Sequence, residues 1–179
     1  MRVRPERAAV NLLKELGIVE PPVDVFEIAR KLGIKVEMAE LGPDCSGMLV
    51  RGETGAVIGV HYAHHPNRQR FSVAHEIGHY RLHEGGTYVD RGTTTLRFRS
   101  SNSNSGSDVE EREANQFAAA VLMPASWVRR ELEKYSFDLG DDQALRELCS
   151  SFQVSTQAMM YRLTNLRILE DESPAHRTQ

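Results

Sequence analysis

The sequence contains few cysteines and no long apolar run. Its only two cysteines, Cys45 and Cys149, lie far apart in the chain, so no disulfide framework is expected. This scarcity favours a reducing compartment, and we predict a cytoplasmic protein. No apolar run is long enough to cross a membrane, and no signal peptide is recognisable. These absences argue against a disulfide-rich secreted protein and against a membrane partner.

A large excess of charge of one sign is absent as well. The formal net charge of -3 argues against a large nucleic-acid-binding surface, although it leaves room for a local basic patch. At 179 residues with 40% hydrophobic content, the chain suits one ordinary globular domain with a small appended lobe.

The stretch from Phe71 to His83 is typical of a helix and contains an H-E-x-x-H motif. His75 and His79 are one helical turn apart on the same face, so both can present a ring nitrogen to one cation. Glu76 lies about 100° further round the helix, beside the open position of such a metal. There its carboxylate can take a proton from a water and pass it to a leaving amine. The alternative is a core helix whose histidines serve packing alone.

Two histidines are too few for a catalytic zinc, which normally has three protein ligands. His83 follows His75 at a distance of about 12 Å along a straight helix, so one ion cannot bridge them. The longer motif H-E-x-x-H-x-x-G-x-x-H is excluded, because Leu82 occupies the position of its glycine. We therefore predict that His83 lies in the last helical turn, favourable to the helix dipole, and that the third ligand lies elsewhere.

A second predicted helix, Asp108 to Pro124, carries acidic residues in its first turns. Glu111 and Asn115 lie on one face, so they can supply a carboxylate to the metal and an amide that orients a liganding histidine. Glu110 falls near the apolar stripe of this helix that is expected to face inward, so helical periodicity leaves it as a rival ligand. Glu113 lies about 200° from Glu111 and is predicted to have little effect on the metal. A solvated acidic helix start is the alternative.

Taken together, the two blocks Arg68 to His83 and Glu111 to Pro124 resemble the ImmA/IrrE family of metallopeptidases. The second block matches as Glu-x-x-Ala-Asn-x-Phe-Ala-Ala-x-x-Leu-Met-Pro. The resemblance extends upstream through Ser46-Gly47 and the strand Ala56 to Val60, and it covers most of residues 20 to 170. Two blocks in the right order are far more specific than the five-residue motif.

This resemblance implies one Zn²⁺ ion in a thermolysin-like site. His75 and His79 would be ligands, Glu76 the general base and Glu111, rather than Glu110, the third ligand. It also implies that the protein substrate is an intracellular helix-turn-helix repressor, and that its cleavage relieves repression of a mobile element, a toxin-antitoxin system or a stress-response regulon.

The expected fold class is α+β. Pro5 to Leu16 is amphipathic, and Asp24 can cap a second helix. The period then changes to two over residues 34–38, 47–50 and 56–60, which predicts three short strands. We expect a small antiparallel sheet packed on helices in a zincin-like, thermolysin-like minimal core. Four residues between the last strand and Pro66 are candidate donors to a tetrahedral intermediate, or else ordinary surface residues: His61, Tyr62, His64 and His65.

We predict three parts in the chain: a zincin-like metallopeptidase domain over 1–136, a helix-turn-helix-like helical lobe over 137–170 and a disordered tail over 171–179. Between the two site helices, Val89 to Ser107 is predicted to lack regular structure and to act as a flap or a plain linker.

The predicted lobe offers basic and amide side chains for reading a DNA groove, but nearby acidic residues oppose phosphate contact. The first set is Gln157, Arg162, Asn165 and Arg167; the second is Asp141, Asp142 and Glu147. DNA is therefore a possible partner that the sequence does not favour over packing or repressor docking.

Two classes of function follow. The first is a zinc endopeptidase; the second is a non-enzymatic DNA-binding or partner-binding regulator with a structural zinc. Structural zinc sites usually fill all four positions with cysteine and histidine. Two histidines, a glutamate and an adjacent carboxylate base favour the enzyme.

Overall fold

The computed structural model describes residues 4–42, 44–84, 87–91, 106–134 and 142–169. Within these ranges the chain forms helices and strands in an α+β arrangement, as predicted. The helices are α1 (Pro5–Glu15), α2 (Val25–Lys31), α3 (Pro66–Leu82), α4 (Gly106–Leu122), α5 (Ala125–Glu133), α6 (Asp142–Phe152) and α7 (Thr156–Asn165). The strands are β1 (Ile34–Ala39), β2 (Cys45–Gly52), β3 (Gly55–His61) and β4 (Thr87–Arg91). None of the helices in these ranges is long and apolar enough to cross a membrane.

The strands form one mixed sheet in the order β1-β3-β2-β4. β2 runs antiparallel to both β3 and β4, but β1 runs parallel to β3, with Ile34 opposite Ala56. The prediction of an antiparallel sheet is therefore wrong for the β1–β3 pair. The period-two pattern reports which face of a strand is buried and not which strand is its neighbour. β1 lies beside β3, the second strand of the β2–β3 hairpin, and runs parallel to it.

The sequence also missed β4. Its five residues fall partly inside the stretch that we predicted to lack regular structure, yet β4 pairs with β2, with Val89 opposite Met48. A strand this short shows too little alternation to be recognised without its partner. Residues 92–105 of the predicted flap or linker lie outside the described residues, and its last two, Gly106 and Ser107, begin α4.

Helix α3 runs through the centre of the molecule. Its middle residues, 72–79, are all buried, and it packs against α4 on one side and β2 on the other. Gly78 allows the close approach of α4, because a methyl group at Gly78 would lie only 3.1 Å from the Cα of Ala114. Two helices in such close contact can hold side chains from each in one site.

Polar side chains cap the starts of α2 and α7. Asp24 accepts hydrogen bonds from the amides of Phe26 and Glu27 at 3.0 Å, which caps α2 as predicted. Ser155 caps α7 by accepting a hydrogen bond from the amide of Ala158 at 3.1 Å. Each cap satisfies amides that a helix start would otherwise leave unpaired.

The C-terminal helices join the main core. Leu148, Phe152, Met159 and Leu163 belong to the same buried cluster as the apolar residues of α3 and α4. Arg70 of α3 is also buried and donates hydrogen bonds to the carbonyls of Val23, Gln153 and Phe152. The predicted boundary near residue 137 and the predicted tail lie outside the described residues. The helix-turn-helix character of α6 and α7 stays a prediction.

Arg162 is not available for reading DNA, which corrects our grouping of it with exposed residues. Only 5% of it is exposed. Its Nε donates to the Met123 carbonyl at 2.8 Å, and its guanidinium also pairs with Glu6 at 2.7 Å. Arg162 follows Ala158 by one helical turn, so it lies on the buried stripe of α7, whereas Gln157, Asn165 and Arg167 are exposed.

We expect Arg162→Ala to lower the free energy of unfolding by about 1–3 kcal/mol, because the Met123 carbonyl loses a buried donor. Urea unfolding followed by circular dichroism measures this change. Arg146→Ala, at an exposed position of α6, is the control and should stay within about 0.5 kcal/mol of wild type. Equal losses in both variants would contradict the buried role of Arg162.

Candidate metal centre

The structure brings His75 and His79 of α3 together with Glu111 of α4. The two Nε2 atoms lie 3.0 Å apart. The Glu111 carboxylate oxygens lie 3.2 Å from His75 Nε2 and 3.2 Å from His79 Nε2. These three residues form a group whose ligand atoms all lie within 4.8 Å of one another, and Glu110, the rival on the same helix, is not part of it.

The group is buried on one side and open on the other. The side chains of His75 and His79 are 3% and 1% exposed, whereas that of Glu111 is 41% exposed. The histidines therefore form the inner wall of the site, and solvent reaches it at the carboxylate. A catalytic metal site needs such an open side, since water and substrate must enter.

The charge states of these groups suit a divalent cation. Burial lowers the pKa of His79 and outweighs the hydrogen bond with Glu111, which acts to raise it; the neighbouring His75 and His83 lower it further. Burial acts to raise the pKa of Glu111, but the hydrogen-bonding and charge interactions with the adjacent His75 and His79 outweigh it and lower this pKa to about 2. Neutral imidazole and ionised carboxylate are the forms that bind metal. Two imidazoles and one glutamate make the donor set of a His₂Glu zinc site, so the residues present fit a zinc ion.

Asn115 occupies the position predicted for an orienting amide. Its Oδ1 lies 3.0 Å from Nδ1 of His75. An amide oxygen only accepts hydrogen bonds, so His75 Nδ1 carries the hydrogen and Nε2 keeps its lone pair towards Glu111. Asn115 thereby holds His75 in the form that can bind a metal through Nε2.

Glu76 follows His75 on α3 and is fully buried. It faces β2, because a methyl group built on Gly47 would lie 3.2 Å from Glu76 Oε1 and 3.3 Å from the Cβ of Ser72. Gly47 therefore leaves room for the carboxylate. Sequence reasoning did not single out Gly47 as a site residue, although a glycine inside a strand is a signal of close approach by another group.

His83 differs from its prediction. It is the residue after α3, with an extended backbone, and its side chain is fully buried rather than placed in the last turn. Its Nδ1 lies 3.1 Å from Nδ1 of His79, and its Nε2 lies 3.0 Å from Oε2 of Glu113. His83 lies where the backbone leaves the helix, and its side chain contacts Glu113 of α4. The helical periodicity of α3 alone cannot predict a contact with another helix.

Arg51 of β2 holds the end of the helix that carries His79. Its guanidinium donates hydrogen bonds to the carbonyls of His79, Tyr80 and His83 at 3.0, 3.0 and 2.9 Å. The Tyr80 carbonyl is among those that a helix end leaves unsatisfied, and the His79 carbonyl also accepts from the His83 amide at 3.1 Å. The sequence offered no signal for this contact, since it joins residues on a strand and a helix.

The four candidate oxyanion donors lie at the last residue of β3 and in the segment that leads to α3. His65 Nδ1 accepts a hydrogen bond from the amide of Asn67 at 3.2 Å and so caps α3. His61 Nδ1 accepts one from the amide of Ala63 at 3.2 Å, and the His61 ring stacks on that of His64. Which of them, with Tyr62, donates to a tetrahedral intermediate stays a prediction.

Known proteins resemble this chain in sequence and in fold. The radiation response metalloprotease IrrE of Deinococcus radiodurans is 34% identical over 111 residues, which are 60% of this chain and 30% of that protein. A solved structure, a Mycobacterium tuberculosis transcriptional regulator, superposes with a TM-score of 0.59 over 99% of this chain and 50% of its own, at 22% identity. The chain thus spans half or less of the length of these two relatives.

The family match covers both helices that carry the metal centre. The model of the M78 peptidase family, described as the IrrE N-terminal-like domain, matches residues 26–164, which include α3 and α4 in full. The chain therefore belongs to the M78 peptidase family of IrrE N-terminal-like domains.

Proposed function

We propose that this protein is a zinc-dependent endopeptidase. The observation that carries the proposal is the convergence of His75, His79 and Glu111, with their ligand atoms within 4.8 Å of one another. A structural zinc would favour a closed set of four cysteine and histidine ligands. Here the third donor is a carboxylate with a 41% exposed side chain, which leaves one side of the site open. Membership of a peptidase family supports the same conclusion.

The proposed mechanism assigns a separate task to each residue. A zinc ion held by the three ligands would polarise the scissile carbonyl and make water a stronger nucleophile. Glu76 takes the proton from the attacking water and delivers it to the nitrogen of the leaving amine. His75 is kept in its ligating form by Asn115, at 3.0 Å. Gly47 leaves the space in which the Glu76 carboxylate lies.

We propose a helix-turn-helix transcriptional repressor as the substrate, with relief of repression as the consequence of cleavage. The named relative is a radiation response metalloprotease, which links this domain type to a regulated response. β1 and β4 are the outer strands of the sheet formed by the described residues, and an outer strand can pair with an extended segment of a protein substrate.

The test is to incubate the zinc-loaded protein with the helix-turn-helix regulator encoded beside its gene and to identify fragments by mass spectrometry. We expect a small number of defined cuts with wild type, a strongly reduced yield with Glu76→Gln and no cuts after removal of zinc by a chelator. Casein is the control substrate.

The outcomes separate the two parts of the proposal. Cleavage of casein without cleavage of the regulator would overturn the repressor as substrate and retain the peptidase. Zinc binding without hydrolysis of either protein would overturn the peptidase and favour the non-enzymatic alternative.

A further inference from the structure

A buried histidine and a glutamate extend the candidate metal centre beyond its three ligands. His79 Nδ1 lies 3.1 Å from His83 Nδ1, and His83 Nε2 lies 3.0 Å from a carboxylate oxygen of Glu113. The His83 side chain is 0% exposed and that of Glu113 is 20% exposed. The three side chains form one continuous hydrogen-bonded chain from the ligand to the surface of α4.

The Glu113 carboxylate determines which atom donates each hydrogen bond between His79, His83 and Glu113. A carboxylate at neutral pH accepts hydrogen bonds, so His83 donates from Nε2 to Glu113 and keeps a lone pair on Nδ1. His79 must then donate from its own Nδ1 to His83. Its Nε2 therefore keeps the lone pair, and this is the atom that lies 3.2 Å from Glu111.

We propose that His83 and Glu113 are positioning residues that hold His79 in the tautomer and orientation required to bind zinc. The inference rests on the proposed function, since it concerns the same metal. His79 then has the kind of support that Asn115 gives to His75, delivered through one additional imidazole. It reverses the sequence-based expectation that Glu113 has little effect on the metal.

The backbone around His83 supports this role. Arg51 donates to the carbonyl of His83 at 2.9 Å and to that of His79 at 3.0 Å, so one guanidinium from β2 holds both residues. His83 is therefore fixed from two directions, through its main chain by β2 and through its side chain by α4. A fixed imidazole can orient its neighbour, which a mobile one cannot.

Zinc affinity, measured by competition with a chromophoric chelator, tests the inference. Loss of a hydrogen-bonding partner of a metal ligand typically costs about 10–100-fold in affinity. We expect that range for Glu113→Ala and for His83→Leu. Glu110→Ala removes the same charge from the same helix and should bind zinc as wild type does. His83→Asn should recover most of the affinity, because its amide oxygen can accept the hydrogen bond from His79 Nδ1.

The double variant Glu113→Ala/His83→Leu tests whether the two residues act in series. If Glu113 acts through His83, the double variant should lose no more affinity than the weaker-binding single variant. Losses that multiply would mean that the two residues act separately, and they would overturn the relay.

Thermal unfolding of the metal-free proteins separates positioning from simple packing. A packing role alone would lower the melting temperature of Glu113→Ala and His83→Leu and leave the zinc affinity of the folded protein equal to that of Glu110→Ala. That result would overturn the inference while wild-type zinc binding and hydrolysis kept the proposed function intact. Failure of wild type to bind zinc would overturn both.

Discussion

Glu76→Gln is expected to lower kcat for peptide hydrolysis by about 10²–10⁴-fold and to leave zinc binding unchanged. The glutamine amide has nearly the same shape as the carboxylate, so it fits the space beside Gly47 and Ser72. It cannot accept the proton of the attacking water. The three proposed ligands are untouched, because Glu76 is not part of the group formed by His75, His79 and Glu111.

Two measurements check this prediction on the same sample: the zinc content by mass spectrometry and the steady-state rate on a peptide substrate. Glu84→Gln, an exposed position just after α3, is the matched control and should keep wild-type activity. Wild-type turnover by Glu76→Gln would remove Glu76 from the mechanism. Loss of the metal along with the activity would show that Glu76 holds the site together and does not act as a base alone.

Glu111→Ala should lower zinc affinity by more than about 100-fold and should eliminate hydrolysis. Loss of a residue that only hydrogen-bonds to a metal ligand costs about 10–100-fold, and loss of a ligand itself should cost more. The pKa of Glu111 is lowered to about 2, so its carboxylate is ionised throughout the neutral range and supplies the only negative charge among the three grouped residues. Without it two neutral imidazoles remain, which is fewer than the three protein ligands of a catalytic zinc.

Glu110→Ala provides the comparison for this prediction as well, because Glu110 is the neighbouring acid that helical periodicity alone does not separate from Glu111. Chelator competition should give Glu110→Ala the affinity of wild type. If Glu110→Ala lost the metal and Glu111→Ala retained it, the register of α4 against α3 would be wrong by one residue.

Part of the candidate site could be predicted because it depends on the geometry of a single helix. A spacing of four residues places His75 and His79 on one face wherever the helix lies, and the same rule pairs Glu111 with Asn115. The cap of α2 was recognisable for the same reason, since Asp24 acts on amides two and three residues away.

Other features depend on residues that are distant in sequence. The sequence analysis grouped Arg162 with the side chains available for groove reading because it is basic, yet it reaches Glu6 in α1. The parallel β1–β3 pairing depends on how the hairpin of β2 and β3 docks against β1. Periodicity within one element contains no information on these contacts.

The sequence by itself determined the α+β class, the helix that presents His75 and His79, and the second helix from which Glu111 and Asn115 project. Those properties follow from hydrophobic periodicity and local hydrogen bonding, which act over a few residues. The tertiary structure decided how the helices meet. Gly78 lets α4 approach α3, Arg51 holds the end of α3, and the resulting contact places His83 between His79 and Glu113. Side-chain packing between elements sets these distances, and it exists only once the chain has folded.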